Sequence, residues 1–180
     1  MKVLVAYASR HGATADIAER IAARLSSHSI DAEAHEVSAV PGVAGYDAFI
    51  VGSAAYMYRW LKDATRFVKR NRGLLASSPT WLFSSGPVGT DLVDDKGRDI
   101  FEAMRPKEFG EFENTLSPQG TKVFFGAWDP DAEPLGLAER FMNLMSAAKD
   151  SMPTGDFRDW DAIDAWADEI AAALRPDTSV

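Results

Sequence analysis

A chain of 180 residues is long enough for one domain with a sizeable core, and 46% hydrophobic with 26% charged residues is the balance of a globular protein. No segment has the apolar length to span a bilayer, and a net charge of −8 repels the phosphates of a nucleic acid. The absence of cysteine excludes disulfides, zinc-thiolate centres, iron–sulfur ligation and thiol nucleophiles, so any redox chemistry has to come from a bound cofactor.

The N-terminus enters an apolar run at once, over residues 2–7, without the basic and long apolar regions of a secretory signal; a cytoplasmic location is the expectation. Val3, Leu4 and Val5, followed by a turn cluster, predict a strand buried on both faces. Ile17, Ala18, Ile21, Ala22 and Leu25 then recur at helical spacing, with Asp16, Glu19, Arg20 and Arg24 largely opposite. Residues 31–37 and 47–52 predict the second and third strands, separated by Pro41, Gly42 and Gly45. Trp60, Leu61, Ala64, Phe67 and Val68 predict a second helix, ending near Gly73 as its C-cap. Residues 80–86 read as a fourth strand with its turn. From 90 to 120 the pattern weakens to a short helix over 100–104 and an extended connection rich in breakers and charge. Residues 122–127 predict a fifth strand, and two helices follow, over roughly 135–149 and 160–174.

Short apolar strands alternating with helices predict an α/β fold: a doubly wound, five-stranded parallel sheet with helices on both faces, in a single domain over 1–180. Such sheets bind ligands beyond the carboxyl ends of their strands, so the turns there are the places to search. The first runs Ser9, Arg10, His11, Gly12, Ala13, Thr14 into a helix, whose amides and hydroxyls suit a phosphate and whose glycine allows close approach. Read by itself, the same stretch is a helix cap made by Ser9 or Thr14. It is neither a Walker loop nor a G-x-G-x-x-G fingerprint.

After the third strand come Ser53, Ala54, Ala55, Tyr56, Met57 and Tyr58, small residues beside aromatics, which suit a flat aromatic ligand. Trp60 fits the helical stripe and reads as core. After the fourth strand come Ser84, Ser85, Gly86, Pro87, Val88 and Gly89, again small. Three such turns at successive strand ends form one rim. His11, His28 and His35 are too dispersed for a metal centre, and His28 and His35 read as surface residues. Asp91, Asp94 and Asp95 read as a solvated charged loop, and the serines at 84 and 85 lack the hydrolase elbow.

The stretch "VAYASRHGATADIAERI" resembles the flavodoxin signature, with Tyr7, Ser9, Gly12, Thr14, Ala18 and Ile21 at the family spacing and Ala6 where a larger apolar residue is common. That resemblance implies strand order 2-1-3-4-5 and FMN as the cofactor, the phosphate held by residues 9–14 and the isoalloxazine flanked by 53–58 and 84–89. "YDAFIVGSAAYMYRWLKDATRFV", "GLAERFMNLM" and "GDFRDWDAIDAWADEI" are similar to the flavodoxin-like, quinone-dependent protoporphyrinogen oxidases, which carry additional sequence where this chain has 90–120. The resemblance implies electron flow from a reduced tetrapyrrole through FMN to a quinone. Two alternatives stay open: an electron carrier between redox proteins, and an NAD(P)H:quinone reductase. The bases Lys62, Arg66, Lys69, Arg70 and Arg72 crowd the second helix. They read either as a solvated face or as a patch for an acidic partner, a tetrapyrrole carboxylate or peripheral contact with an anionic membrane.

Overall fold

A computed structural model describes residues 1–129 and 153–175. β1 (Lys2–Ala8) leads to α1 (Ala13–Ser27), then β2 (Asp31–Glu36), β3 (Ala48–Tyr56), a two-residue β4 (Arg59–Trp60) and α2 (Lys62–Ser77). β5 (Thr80–Ser85) is followed by α3 (Ile100–Ala103), α4 (Lys107–Leu116), β6 (Gly120–Phe124) and β7 (Ala127–Trp128). β8 (Gly155–Asp156) and α5 (Trp160–Ala173) complete the described elements. The main sheet is parallel in the order β2-β1-β3-β5-β6, with β4 folded antiparallel onto the end of β3. Counting only its long strands, this is the expected 2-1-3-4-5. β7 and β8 form a separate antiparallel pair.

Side chains alternate across β1, so its apolar run serves two cores. Val3 and Val5 join Ile17, Ile21 and Leu25 of α1, Phe83 of β5, and Ile163, Trp166 and Ile170 of α5. Leu4 and Ala6 join Phe67, Val68 and Leu75 of α2 and Phe109, Phe112 and Leu116 of α4 on the other face. Gly52 is required by close approach, since a Cβ there would collide with the Phe83 ring.

Several expectations are corrected. α2 does not stop at Gly73 but continues to Ser77, because Leu75 extends the buried stripe and tertiary burial outweighs the roughly 1 kcal/mol cost of a helical glycine. The stretch expected as an extended connection holds α4, whose buried Phe109 and Phe112 pack against Trp60 and whose Leu116 joins the same core; Trp60 meets Phe109 edge-on at 5.5 Å. Pro106 at its N-cap and Gly110 within it mask that period. β3 runs on to Tyr56, past the expected end at 52, and the fifth long strand lies at Gly120–Phe124 rather than 122–127.

His28 is not a bare surface residue: its Nε2 lies 2.6 Å from Asp168 Oδ1 on α5, beside the forked Arg24–Asp168 pair. The helix expected at 135–149 lies outside the described residues. Among the described residues no helix is long and apolar enough to cross a membrane.

Candidate functional site

The carboxyl edge of the sheet encloses a cavity of about 450 Å³. Its first wall is the β1–α1 turn, which contributes Ser9, Arg10, His11, Ala13 and Thr14. The turn reaches Gly12 at φ 87°, a left-handed conformation that L side chains resist. A Cβ at Gly12 would meet nothing within 4 Å, so backbone conformation, not room, calls for glycine. Gly12 is the N-cap of α1 and brings no side-chain hydrogen bond, which leaves the first-turn amides to whatever occupies the cavity.

Thr14 does not cap the helix. Its Oγ1 shares a hydrogen bond of 2.7 Å with Ser85 Oγ at the end of β5, both side chains being buried. The bond fixes the start of α1 against the sheet and leaves each hydroxyl further hydrogen-bonding capacity toward the cavity that both residues line.

The second wall is the end of β3, with Ala54, Ala55, Tyr56 and Met57, and the third is Ser85, Gly86 and Val88. The expected rim is therefore largely assembled, but not every member faces inward. Ser53 is buried in the sheet, where its Oγ donates to Ala54 O and accepts from Leu61 N–H. Ser84 is likewise buried and donates to Ser53 O. Tyr58 is exposed and off the cavity wall, its carbonyl accepting from Lys107 N–H. Gly12, Pro87 and Gly89 shape the turns without lining the cavity; Pro87 O accepts from Gly126 N–H at 2.7 Å.

A fourth wall lies outside the residues that the sequence singles out: Met104 after α3, and Gly126, Ala127, Trp128 and Asp129 after β6. The signal is present in the sequence, since this is the turn beyond the fifth long strand, where the same carboxyl-edge rule applies. Trp128 lines the cavity, and its indole N–H, like that of Trp60, is buried without a hydrogen-bond partner among the described residues.

One arginine lines the cavity and another braces the start of α1. The Arg10 guanidinium lies 5.2 Å from the centroid of the Tyr56 ring, and this pair also borders a second groove of about 720 Å³. Arg158, next to β8, donates to Asp16 Oδ2 at 2.6 Å and to Ala13 O at 3.3 Å, pairs with Asp156, and stacks on Trp160 at 4.6 Å. The hydrogen bond to Asp156, reinforced by Asp16, holds its pKa above the ordinary arginine value. The loop expected as solvated carboxylates is partly structured: Asp94 accepts from the N–H groups of Arg98 and Lys96, and these bonds hold its pKa below the usual range. Among the described residues no cluster of three or more His, Asp or Glu could hold a metal.

Uncapped amides at one end of the cavity, apolar walls of Ala54, Ala55, Val88, Met104 and Ala127, and an unsatisfied indole donor suit a phosphorylated, flat ring system. Such a site on such a sheet defines a doubly wound, nucleotide-binding class of protein. The sequence pattern of the family described as Flavodoxin domain matches residues 4–153, and the chain belongs to that family.

Solved structures agree in fold. A cysteine-to-serine mutant of flavodoxin from Pseudomonas aeruginosa is 17% identical with a TM-score of 0.58, the match covering 98% of this chain and 100% of that one. Flavodoxin 1 from Bacillus cereus is 14% identical, also at TM-score 0.58, with 97% and 100% covered. Rubredoxin oxygen:oxidoreductase from Desulfovibrio gigas is 15% identical at TM-score 0.58, covering 96% of this chain but 36% of that one. No curated protein sequence matches. FMN is the cofactor of this family, and the residues present fit it.

Proposed function

We propose that the chain transfers electrons through FMN held in this cavity. The observation that carries the reading is the side-chain-uncapped N-terminus of α1 opening onto a cavity whose remaining walls are mainly small and apolar. Ser9, Thr14 and the first-turn amides of α1 would hold the phosphate, and Ala54–Met57 with Ser85, Gly86 and Val88 would flank the ring. FMN supplies the redox chemistry when bound. The chain's own residues orient it, exclude water from it and set the surrounding charge. Trp128, on the cavity wall with a buried and unpartnered indole N–H, would be available to donate to the bound group.

Flavodoxin-like carriers exchange electrons with redox proteins, and this reading needs no substrate pocket of the protein's own. The test is anaerobic stopped-flow mixing of the FMN-loaded, reduced protein with an oxidised one-electron acceptor protein. Rapid oxidation of the flavin is expected; a flavin inert to protein acceptors but turned over by a small substrate contradicts it.

A second reading is oxidation of protoporphyrinogen with a quinone as acceptor, as the sequence resemblance implies. One observation favours it: the segment after β5 brings Met104 onto the cavity wall, so additional chain borders the cofactor site. Aerobic and anaerobic assays with protoporphyrinogen and menaquinone, set beside NADPH with quinone, separate the enzyme readings from the carrier.

A further inference from the structure

We propose that the face formed by β4 and the exposed side of α2 docks an acidic redox protein beside the flavin cavity; this rests on the electron-transfer reading above. Arg59, Lys62, Arg66, Lys69, Arg70 and Arg72 are all exposed on this face, on a chain whose net charge is −8. Within residues 59–72 the single acid is Asp63. The α2 sequence places its apolar residues, Ala64, Phe67, Val68 and Leu75, against the sheet and α4, which turns the bases outward.

Local pairing leaves the sign of this face positive. Arg66 meets Asp63 at 2.9 Å and Lys69 meets Glu111 at 2.9 Å, both as exposed pairs, while Arg59 reaches buried Glu108 at 3.5 Å. Lys62, Arg70 and Arg72 make no ion pair with a described residue. Beyond about one Debye length, roughly 8 Å at physiological salt, the rest of the acidic surface is screened, so a docked partner senses this face and not the net charge.

Position connects the patch to the chemistry. Arg59, Lys62 and Arg66 border the 720 Å³ groove, and Ser9, Arg10 and Tyr56 belong to the walls of both the groove and the flavin cavity. A partner seated on the bases at the rim of the groove therefore lies one residue layer, the Arg10–Tyr56 pair, from the cofactor site. Within the groove itself Glu36, Asp63 and Glu108 oppose these bases. Charge complementarity is thus strongest along the exposed face of α2, where Lys69, Arg70 and Arg72 extend the positive surface over a length that a protein spans.

The test uses a fluorescently labelled acidic [2Fe–2S] ferredoxin as probe, with anisotropy as the readout, on the apo and FMN-loaded protein in parallel. Anisotropy needs no flavin, so failure to take up FMN and failure to dock are separate results. Binding is expected to weaken at least about tenfold between roughly 20 and 200 mM salt. Lys62→Glu/Arg66→Glu should weaken it by about tenfold or more at low salt, while Lys96→Glu/Lys122→Glu, with the same change in net charge, leaves it near wild type. Lys62→Gln/Arg66→Gln repeats the test with a smaller change in charge. Equal loss in both charge-reversal variants, or none in either, overturns the proposal. So does loss of phosphatidylserine-vesicle binding in Lys62→Glu/Arg66→Glu with ferredoxin binding intact, which would assign the face to a membrane.

Discussion

Thr14 and Ser85, 71 positions apart in sequence, share a buried hydroxyl hydrogen bond of 2.7 Å that joins the first turn of α1 to the last residue of β5. It locks two walls of the cavity in register, and both side chains are buried. Ser85→Ala should cost about 1–2 kcal/mol of stability and about tenfold in FMN affinity, because it strands the Thr14 hydroxyl. Denaturant melts and FMN titrations of Ser85→Ala and of the isosteric Thr14→Val read both quantities. An unchanged FMN affinity in both variants would remove this bond from the site.

Gly12 is needed for its backbone conformation alone. Gly12→Ala should therefore lower stability by about 1 kcal/mol, with Gly12→Asn less harmful because asparagine tolerates left-handed backbone. Both should weaken FMN binding by tilting the first-turn amides. Urea midpoints at constant m-value are the check, and equal midpoints for alanine and asparagine would refute the conformational argument.

Arg158 spans three partners, Asp16, Asp156 and the carbonyl of Ala13, from a side chain that is 11% exposed. Its carboxylate partners are about half exposed, so solvent screening limits the stability lost in Arg158→Lys to about 1 kcal/mol. The larger effect should fall on FMN affinity, since the contacts to Ala13 and Asp16 steady the start of α1. Lysine cannot reproduce the planar fork, so it should rescue little relative to alanine; full rescue would show that charge alone matters.

The Glu33 carboxylate is lowered from 4.5 to about 2, first by the hydrogen bond from Lys2 and then by that from Tyr46. A depressed carboxylate stabilises the fold above its unfolded value and loses that contribution as pH falls through the folded one. The contribution of Glu33 is therefore present above pH 4.5 and lost toward pH 2. Glu33→Gln should flatten the pH dependence of the urea midpoint across that window. A wild-type slope in the variant would assign the acid sensitivity to other carboxylates.

Periodicity makes the two helices that cover β1 legible, because Ile17, Ile21 and Leu25, and then Ala64, Phe67 and Val68, repeat without interruption. It fails at α4, where Pro106 and Gly110 break the local signal and burial against Trp60 supplies the helix's stability. The three small-residue turns are readable as a rim from their positions after strands. Which of their side chains point inward is not, because strand alternation sends Ser53 and Ser84 into the sheet while Ala54 and Ser85 face the cavity. Trp128 is missed although it follows the fifth long strand, because the apolar run after Lys122 continues to Ala127, whereas the paired strand ends at Phe124 and the indole is carried on β7.

The most direct measurement is an equilibrium titration of the purified apo protein with FMN and, separately, with riboflavin, followed by flavin and Trp128 fluorescence with Trp128→Phe as reference. If the phosphate sits at the N-terminus of α1, FMN should bind at least about a hundredfold more tightly than riboflavin, consistent with several charge-assisted hydrogen bonds at about 1.5–3 kcal/mol each. Equal affinity for the two, or no uptake of either, would contradict the account.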